Sequence, residues 1–426
     1  MGRAEARVEI TGIAAGGAGV GRLPDGRAVF VHRTAPGDLV ELRVVEEKRR
    51  WARGTLLRVL RPSSDRREAP CPHYARCGGC TLEHLTYAAQ LRAKARIVAD
   101  GLERIGGVQA AVPDTVASPR EFRYRNRVSF TLVRTGRGRT IAGFHELERP
   151  HRVVDITEAC LLPEEAVAGV WGRLRAAWGV EAQRLPAGRR LRLTLRASAA
   201  GMVTLVIEGG DTPGRPDELL QLVPELRAIW HRPAGAANLV LLAGEESVLE
   251  TWEDEEVGLS GAVFLQVNRQ AAAALEAHVL ELAGDVSGRR VVDAYCGVGL
   301  HARRLARAGA QVVGIELDAR ALQEASRAAD GAVFLTGRVE DRLPSALPAD
   351  LVIVNPPRTG LDEAVPRALL AQPPRRILYV SCNPATLARD LGRLAAAFAL
   401  RSLRCFDLFP QTAHVETVAE LAWTGA

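Results

Sequence analysis

Long apolar runs are missing from this chain of 426 residues. A membrane-spanning helix needs roughly 18 consecutive apolar residues, and no stretch approaches that length. The first ten residues, MGRAEARVEI, also lack the apolar core of a secretion signal. We therefore expect a cytoplasmic protein. Internal repeats are absent too, and the 47% hydrophobic and 25% charged residues exclude a disordered chain.

Lysine is nearly absent, because Lys48 and Lys94 are the only lysines among 56 basic residues. The chain is also rich in alanine and glycine, so much of its arginine reflects composition bias, and the net charge of +6 carries little weight. Residues 1–67 hold 14 basic and 8 acidic residues, an excess equal to that of the whole chain. Such a local excess is typical of a surface that meets nucleic acid, although a solvated basic face would give the same count.

Three parts follow one another along the chain. Residues 1–61 carry short alternating runs of Val, Ile and Leu between glycine-rich turns, which predicts a small β-barrel of the OB type. Such a barrel is a common nucleic-acid platform, and a packing module is the alternative. Residues 62–255 predict a mixed α/β central domain, which contains the basic strand RYRNRVSFTLVR (123–134). Residues 256–426 alternate strands and helices, which predicts an α/β domain of Rossmann-like type with a parallel sheet.

A glycine turn follows the first strand of the last domain, in VVDAYCGVGL (291–300). Gly297 and Gly299 permit close approach of a ligand, and Glu316 ends the next strand, 19 residues after Gly297. The full dinucleotide spacing is missing, so a nucleoside ligand without pyrophosphate, such as S-adenosylmethionine, fits better. An ordinary strand-to-helix turn with a surface glutamate is the alternative.

Two more strands of this domain end in residues that could bind a ligand or take part in a reaction. Asn355 begins a stiff NPPR loop at one strand end. Cys382 ends the next strand, where Asn383 and Pro384 predict the start of a helix whose positive end favours a thiolate. Glu416 follows a proline turn and is either a general base or a surface carboxylate. A small buried cysteine is the alternative for Cys382.

Seven cysteines, an odd number, argue against a disulfide framework. Cys71, Cys77 and Cys80 have C-x5-C-x2-C spacing, which predicts a metal site whose fourth ligand lies elsewhere. The spacing does not separate zinc from an iron–sulfur cluster, and His73 or His84 can serve a zinc site.

Several segments together resemble one family, the RNA 5-methyluridine methyltransferases, which are class I enzymes that use S-adenosylmethionine. The segments are FLQVNRQ (264–270), DAYCGVG (293–299), VVGIE (312–316), NPPRTGLD (355–362), LYVSCNPATLARDL (378–391) and FDLFPQTAHVET (406–417). Residues 1–61 resemble the TRAM RNA-binding barrel of many members. CPHYARCGGC resembles the cysteine element of members that hold a 4Fe–4S cluster.

The resemblance implies a role for each matching residue. Cys382 corresponds to the nucleophile and Glu416 to the base. The positions implied to contact S-adenosylmethionine are Gln266, Tyr295, Glu316 and Asn355, beside the glycine turn. Cys160 corresponds to the fourth cluster ligand, which favours 4Fe–4S over zinc. Two positions depart from the family pattern: Asn355 stands where an aspartate is usual, and Leu300 where many members have a polar residue.

The expected function is methylation of uridine C5 in structured RNA through a covalent bond between Cys382 and C6. Large-subunit (23S) ribosomal RNA is favoured by the cluster and barrel together, with transfer RNA as the second substrate. Two other functions stay open: an amine methyltransferase that does not need Cys382, and a non-catalytic RNA-binding or ribosome-assembly factor. The sequence indicates no membrane association and no obligate protein partner.

Overall fold

The computed structural model describes residues 5–136, 138–252, 255–261, 265–327 and 331–425, so Phe264 of the FLQVNRQ segment lies outside the described residues. The chain divides into two compact units. The first unit comprises Met1–Glu68, Thr81–Pro119 and Gln270–Ala426; the second comprises Ala69–Cys80 and Arg120–Arg269.

The N-terminal strands of the first unit close into a barrel, which confirms the fold predicted for this part. They are β1 (Glu5–Ile13), β2 (Gly19–Arg22), β3 (Ala28–Val31), β4 (Leu39–Glu47) and β5 (Trp51–Arg61), in the order β1-β2-β3-β5-β4. Alternate residues such as Val8, Ile10 and Leu42 point into the barrel core. Most outward arginines of the strands pair with glutamates; Glu41, for example, accepts from Arg58 at 2.7 Å and lies 3.6 Å from Arg7.

Helix α1 (Tyr87–Gly101) connects the barrel to the C-terminal domain within the first unit. It begins at Thr86, whose hydroxyl accepts from the Ala89 N–H, and it continues as a π-helical turn over Leu102–Gly106. One set of its residues packs with barrel residues, in a cluster of Ile13, Ala35, Leu82, Leu85, Ala89, Ile97 and Ala413. Val98 and Leu102 instead join the core of the C-terminal domain. The barrel is therefore packed onto the unit and not simply tethered to it.

The second unit contains a mixed sheet with the strand order β12-β11-β10-β9-β6-β7-β8, and a separate hairpin, β13-β14. Its elements are β6 (Arg127–Arg134), β7 (Thr140–His145), β8 (Val153–Asp155), α2 (Glu165–Ala177), β9 (Arg190–Ala197), β10 (Val203–Glu208), α3 (Pro216–Leu222), β11 (Leu226–Arg232), β12 (Val240–Gly244), β13 (Val248–Trp252) and β14 (Glu255–Leu259). Helices α2 and α3 share one core with one face of the sheet, where Phe130 stacks on Trp171 with ring centroids 4.0 Å apart.

The C-terminal part of the first unit is a doubly wound domain, as predicted. Its elements are α4 (Arg269–Ala283), β15 (Arg290–Ala294), α5 (Leu300–Arg307), β16 (Gln311–Glu316), α6 (Ala319–Arg327), β17 (Ala332–Thr336), α7 (Val339–Ala346), β18 (Leu351–Val354), α8 (Ala364–Ala371), β19 (Arg376–Ser381), α9 (Pro384–Leu394), β20 (Phe398–Phe406) and β21 (Glu416–Trp423).

The sheet of this domain has the strand order β17-β16-β15-β18-β19-β21-β20. Strands β15 to β19 are parallel, so their carboxyl ends share one edge. The predicted parallel pattern ends at β21, which runs antiparallel between β19 and β20. As a result, the amino end of β21 lies at the edge where the parallel strands have their carboxyl ends. Ligands of such sheets bind at this edge, which we call the ligand edge. Among the described residues no helix is long and apolar enough to cross a membrane.

Candidate functional site

Cys382 and Glu416 come together at the ligand edge because of the antiparallel pairing of β19 and β21. Ser381 pairs with Thr417, so the next residue on each strand, Cys382 and Glu416, lies beside its counterpart. The charge of Glu416 raises the pKa of the Cys382 thiol, after the larger effect of burial. The two residues that the sequence named for nucleophile and base are therefore neighbours.

Glu416 is 3% exposed. Burial raises the pKa of its carboxyl to about 8, while the nearby Arg358 lowers it. Glu416 therefore carries a proton at neutral pH in the free protein, and the surface alternative for this residue is wrong. A buried carboxyl beside a thiol at the end of a sheet is typical of a catalytic base.

Arg358 is the residue of this site that the sequence interpretation passed over. Its guanidinium hydrogen-bonds the Cys382 thiol, which lowers the pKa of that thiol, and it also lowers the pKa of Glu416. The signal was present in the sequence, since Arg358 ends the NPPR loop at the same sheet edge. A thiolate at Cys382 would thus have a fixed positive charge beside it.

The expectation of a thiolate-favouring environment is wrong for the free protein. Asn383 does cap α9, since its Oδ1 accepts from the Ala385 N–H at 3.1 Å, and Pro384 occupies the first helical position. Nevertheless the pKa of Cys382 lies above its usual value, because burial and then Glu416 outweigh Arg358.

Helix α9 holds the NPPR loop against the site. Asn383 Nδ2 and the Thr386 hydroxyl both donate to the Arg358 carbonyl, at 2.9 and 3.4 Å. Further along the helix, the buried Asp390 accepts from the Leu361 N–H at 2.8 Å, and the Arg389 guanidinium donates to the Thr359 carbonyl at 2.9 Å. The SCNPATLARD segment therefore contains Cys382 and also the residues that fix the loop carrying Arg358.

A second network fixes the loop that precedes Glu416. Gln411 is fully buried, and its backbone has a φ of 69°. Its carbonyl accepts from the N–H groups of Thr81 and Leu82, both at 2.9 Å. Its side-chain Oε1 accepts from Gln90 and from Arg67, again both at 2.9 Å. Arg67 follows the barrel in sequence, so this network joins the barrel linker, α1 and the segment leading to Glu416.

The glycine turn and Glu316, both predicted to contact a nucleoside, are hydrogen-bonded to each other. The Gly297 N–H donates to Glu316 Oε2 at 3.1 Å, and Gly299, with a φ of 73°, forms the N-cap of α5. Asp293, buried beneath the turn, has a pKa raised to about 7 by burial, with a smaller contribution from Glu316. Asp293 was not among the predicted site residues, although it begins the DAYCGVG segment.

The other predicted nucleoside contacts lie at several places. Tyr295 follows β15 and has a φ of 64°, a strained conformation for a bulky residue and one that is concentrated at functional sites. Asn355 follows β18, and its N–H donates to the Ala294 carbonyl at 3.2 Å. Leu300 is the first residue of α5 and is buried. Gln266 belongs to the second unit, where its carbonyl accepts from Asn126 Nδ2 at 3.1 Å.

The four cysteines predicted to bind metal lie in one core of the second unit, where Cys71 packs against a cluster that contains Cys77, Cys80 and Cys160. The Cys160 thiol hydrogen-bonds Cys71, which raises its pKa, as do burial and Cys80. The Gly79 N–H donates to Cys77 Sγ at 3.3 Å. Within the described ranges, however, no three His, Cys, Asp or Glu side chains form a group that could hold a metal ion. The donor chemistry fits a cluster, but the geometry of a closed site is not present.

Three protein-family models match the chain. The TRAM domain matches residues 1–57, and a general methyltransferase domain matches residues 292–355. The tRNA (uracil-5-)-methyltransferase model matches residues 337–422, which include Arg358, Cys382 and Glu416.

Curated relatives and a solved structure cover nearly the whole chain. An RNA methyltransferase of Gloeobacter violaceus is 36% identical over 97% of this chain and 95% of its own length. One of Halalkalibacterium halodurans is 34% identical over 95% of this chain and 94% of its own. The Pyrococcus abyssi tRNA (uracil-54, C5)-methyltransferase, solved with S-adenosyl-L-homocysteine, is 26% identical with a TM-score of 0.76, covering 98% of this chain and 99% of that one.

Proposed function

Because this chain belongs to the RNA 5-methyluridine methyltransferase family, whose members use S-adenosylmethionine, we propose that it methylates C5 of a uridine in structured RNA. The observation that carries the proposal is the placement of Cys382, Glu416 and Arg358 together at the carboxyl edge of the parallel sheet. This chemistry needs a nucleophile and a separate base, and both are there.

In the proposed reaction, the Cys382 thiolate adds to C6 of the uracil and gives an enolate. C5 then attacks the methyl carbon of S-adenosylmethionine, and S-adenosylhomocysteine leaves with the electrons of the broken S–C bond. Glu416 takes the proton from C5, the C5–C6 double bond re-forms, and Cys382 leaves as a thiolate. Arg358 stabilises that thiolate before addition and after elimination.

Glu416 must lose its proton before it can act as the base. Its pKa of about 8 and the raised pKa of Cys382 both mean that the active ionisation state is populated above neutral pH. We therefore expect the rate to rise with pH through about 8, where Glu416 loses its proton, and to rise further above 9, where the Cys382 thiol ionises.

The proposed S-adenosylmethionine site uses the turn after β15 and the ends of β16 and β18. Gly297 and Gly299 let the ligand approach the backbone, and Glu316 accepts hydrogen bonds from the ribose. Tyr295 and Asn355 complete the contacts that the resemblance implies within the first unit, while the contact of Gln266, in the second unit, is implied by the resemblance alone. The carboxamide of Asn355 offers both a donor and an acceptor to the ligand and adds no charge.

Two classes of RNA are candidate substrates, ribosomal RNA and transfer RNA. We propose large-subunit ribosomal RNA, since the cysteine element and the barrel occur together, and a reaction in the cytoplasm. The proposed division of labour assigns RNA binding to residues 1–61, the cysteine site to 62–255 and chemistry to 256–426. Transfer RNA is the second candidate, favoured by the description of the matched family model and by the Pyrococcus abyssi enzyme.

One experiment tests the reaction and the substrate together. Total RNA from a deletion strain is incubated with the purified protein and methyl-labelled S-adenosylmethionine, then digested and mapped by mass spectrometry. We expect 5-methyluridine to appear in a single ribosomal RNA fragment and not with Cys382→Ala. Label in transfer RNA would move the substrate to the second class. Label on an exocyclic amine, or full activity of Cys382→Ala, would overturn the uracil-5 chemistry.

We further propose that Cys71, Cys77, Cys80 and Cys160 hold a 4Fe–4S cluster that stabilises the second unit. Support comes from their common core, from the contact of Cys160 with Cys71, and from thiolate chemistry. Anaerobically purified protein should be brown and contain four iron and four sulfide per chain, as a cluster of this type requires. Colourless protein with one zinc would replace the cluster with a zinc site.

A further inference from the structure

On strands β6 and β9, one face of the sheet in the second unit carries polar and basic side chains, whereas on β10 and β11 the same face carries an apolar cluster of Val206, Ala228 and Trp230. Along β6 and β9, alternate residues such as Phe130 and Leu193 point into the core shared with α2. The residues between them point the other way. We name this set, together with the last residue of β7, the arginine face: Arg127, Ser129, Thr131, His145, Arg190 and Arg192.

Except for Arg127, the residues of the arginine face line an open groove of about 600 Å³. Arg190 and Arg192, both exposed, lie two residues apart on β9, and Thr131 is the cross-strand partner of Arg192. An Arg190 guanidinium nitrogen lies 3.3 Å from His145 Nε2, and one of Arg192 lies 3.5 Å from the Ser129 hydroxyl. Guanidinium forks whose nitrogens lie next to a hydroxyl and an imidazole acceptor form a surface that recognises oxyanions.

The positive charge of this face is poorly balanced. Arg127 is partly buried, and burial followed by the charge of Arg192 lowers its pKa. Arg196 lies directly across from Arg127 in the β6–β9 register and adds a fourth guanidinium, whose pKa is lowered by burial and by Arg127 and raised by Glu250. The acid in the groove is Glu208, which lies 3.4 Å from Arg192 and also pairs with Arg232. Guanidinium groups held together against their mutual repulsion indicate a site for an anionic ligand.

We propose that the arginine face binds the phosphate backbone of the RNA, as a second contact surface besides the barrel. The proposal rests on the methyltransferase function proposed above, because that function supplies the RNA. Phosphate matches the site better than an acidic peptide, since successive phosphates repeat regularly along a strand. Arg190 and Arg192 present two forks about 6.7 Å apart on one strand, so each can take one phosphate.

The test compares full-length variants in salt-dependent RNA binding. Arg190→Gln/Arg192→Gln removes both exposed guanidinium groups. Arg173→Gln serves as the matched control, because Arg173 is an exposed arginine on α2 that pairs with Glu225 at 2.7 Å, on the helix packed against the opposite face of the sheet. A fluorescein-labelled hairpin RNA with a uridine-rich loop is titrated between 50 and 400 mM KCl. Thermal melting of each variant checks the fold.

The double variant should reduce the slope of log Kd against log salt by about 1.4, the loss of two single-strand phosphate contacts. It should also raise the KM for RNA while leaving kcat and S-adenosylhomocysteine binding unchanged; the control should match the wild type. An unchanged slope in a folded double variant would overturn the arginine face and leave the methyltransferase proposal intact. A reduced slope in a protein that methylates no RNA would support the arginine face and overturn the methyltransferase proposal.

Discussion

At the scale of single residues, the free protein holds its two reactive groups in their protonated forms. Cys382 and Glu416 share a buried position, and burial penalises the charged form of each. The charge of Arg358 lowers the pKa values of both groups.

The first prediction separates the roles of the two groups. Cys382→Ala cannot add to C6, so neither methyl transfer nor a protein–RNA adduct should form. Glu416→Gln can still add and transfer methyl but cannot remove the C5 proton, so it should accumulate a methylated adduct. Denaturing electrophoresis with labelled S-adenosylmethionine detects that adduct. If Glu416→Gln folds normally and gives no adduct, Glu416 is not the base.

The second prediction follows from the pKa of Glu416, which is about 8 in the folded protein and 4.5 for an ordinary exposed glutamate. Below 4.5 the group is protonated in both states. As pH rises from 4.5 to 8, only the unfolded state releases its proton, so this group lowers the free energy of unfolding across that window. Glu416→Gln has no such loss, so its Tm advantage over the wild type should grow by several degrees between pH 5 and 8 and then level off.

Melting curves at unit pH steps check this difference. Glu103→Gln is the control, because Glu103 is exposed and its substitution should leave the difference flat. A Glu416→Gln difference that is equally flat would mean that Glu416 is already ionised in the folded protein at neutral pH.

The sequence predicted these residues unevenly, for physical reasons. Cys382 and Glu416 were found because a cysteine at a strand end and a carboxylate after a turn fit one reaction. Their pKa values could not be predicted, because burial depends on side chains that are distant in the chain. Arg358 was seen in its loop but not assigned to the thiol, since the contact depends on how α9 holds that loop.

At the scale of elements, helix α9 links the nucleophile to the NPPR loop through its first residues. Asn383 contacts both the helix and the loop: its Oδ1 accepts from the Ala385 N–H, and its Nδ2 donates to the Arg358 carbonyl. One side chain therefore caps the helix and positions the loop. Two substitutions can separate these functions.

The third prediction uses Asn383→Ser and Asn383→Ala. Serine keeps the cap but is too short to reach the Arg358 carbonyl, so stability should be retained while activity falls and its pH profile shifts upward. Alanine loses the cap as well and should cost about 1 kcal/mol of stability. Denaturant unfolding and pH–rate profiles measure the two effects. Equal activity of Asn383→Ser and wild type would show that the bond to Arg358 does not position the loop.

The sequence predicted the type of each domain but not every contact between its elements. The alternation of strands and helices predicted the doubly wound domain, and turn residues predicted the barrel. The antiparallel insertion of β21 between β19 and β20 was not visible, since strand order depends on long-range pairing. The same is true of Gln411, whose partners Gln90 and Arg67 lie more than 300 residues earlier in the chain.

At the scale of the whole chain, the barrel is part of the first unit's packing. Ile13 and Ala35 of the barrel region share an apolar cluster with Leu82, Leu85 and Ala413. Deleting residues 1–61 would expose that cluster and confuse a loss of RNA contacts with a loss of stability. Surface substitutions in the intact chain are therefore the appropriate test of RNA binding by the barrel.

The last prediction concerns the turn between β4 and β5. Most arginines on the barrel strands pair with glutamates, but Arg49 and Arg50 are exposed and have no ion pair among the described residues. Their charge is fully available to phosphate, so Arg49→Gln/Arg50→Gln should reduce the salt slope of RNA binding by about 1.4. S-adenosylhomocysteine binding, measured by calorimetry, should not change, because the nucleoside site lies in another domain. Arg43→Gln is the control, since Arg43 already pairs with Glu5 at 3.0 Å on the same barrel. An equal effect of the control would mean that the barrel contributes only its net charge, without a defined contact at this turn.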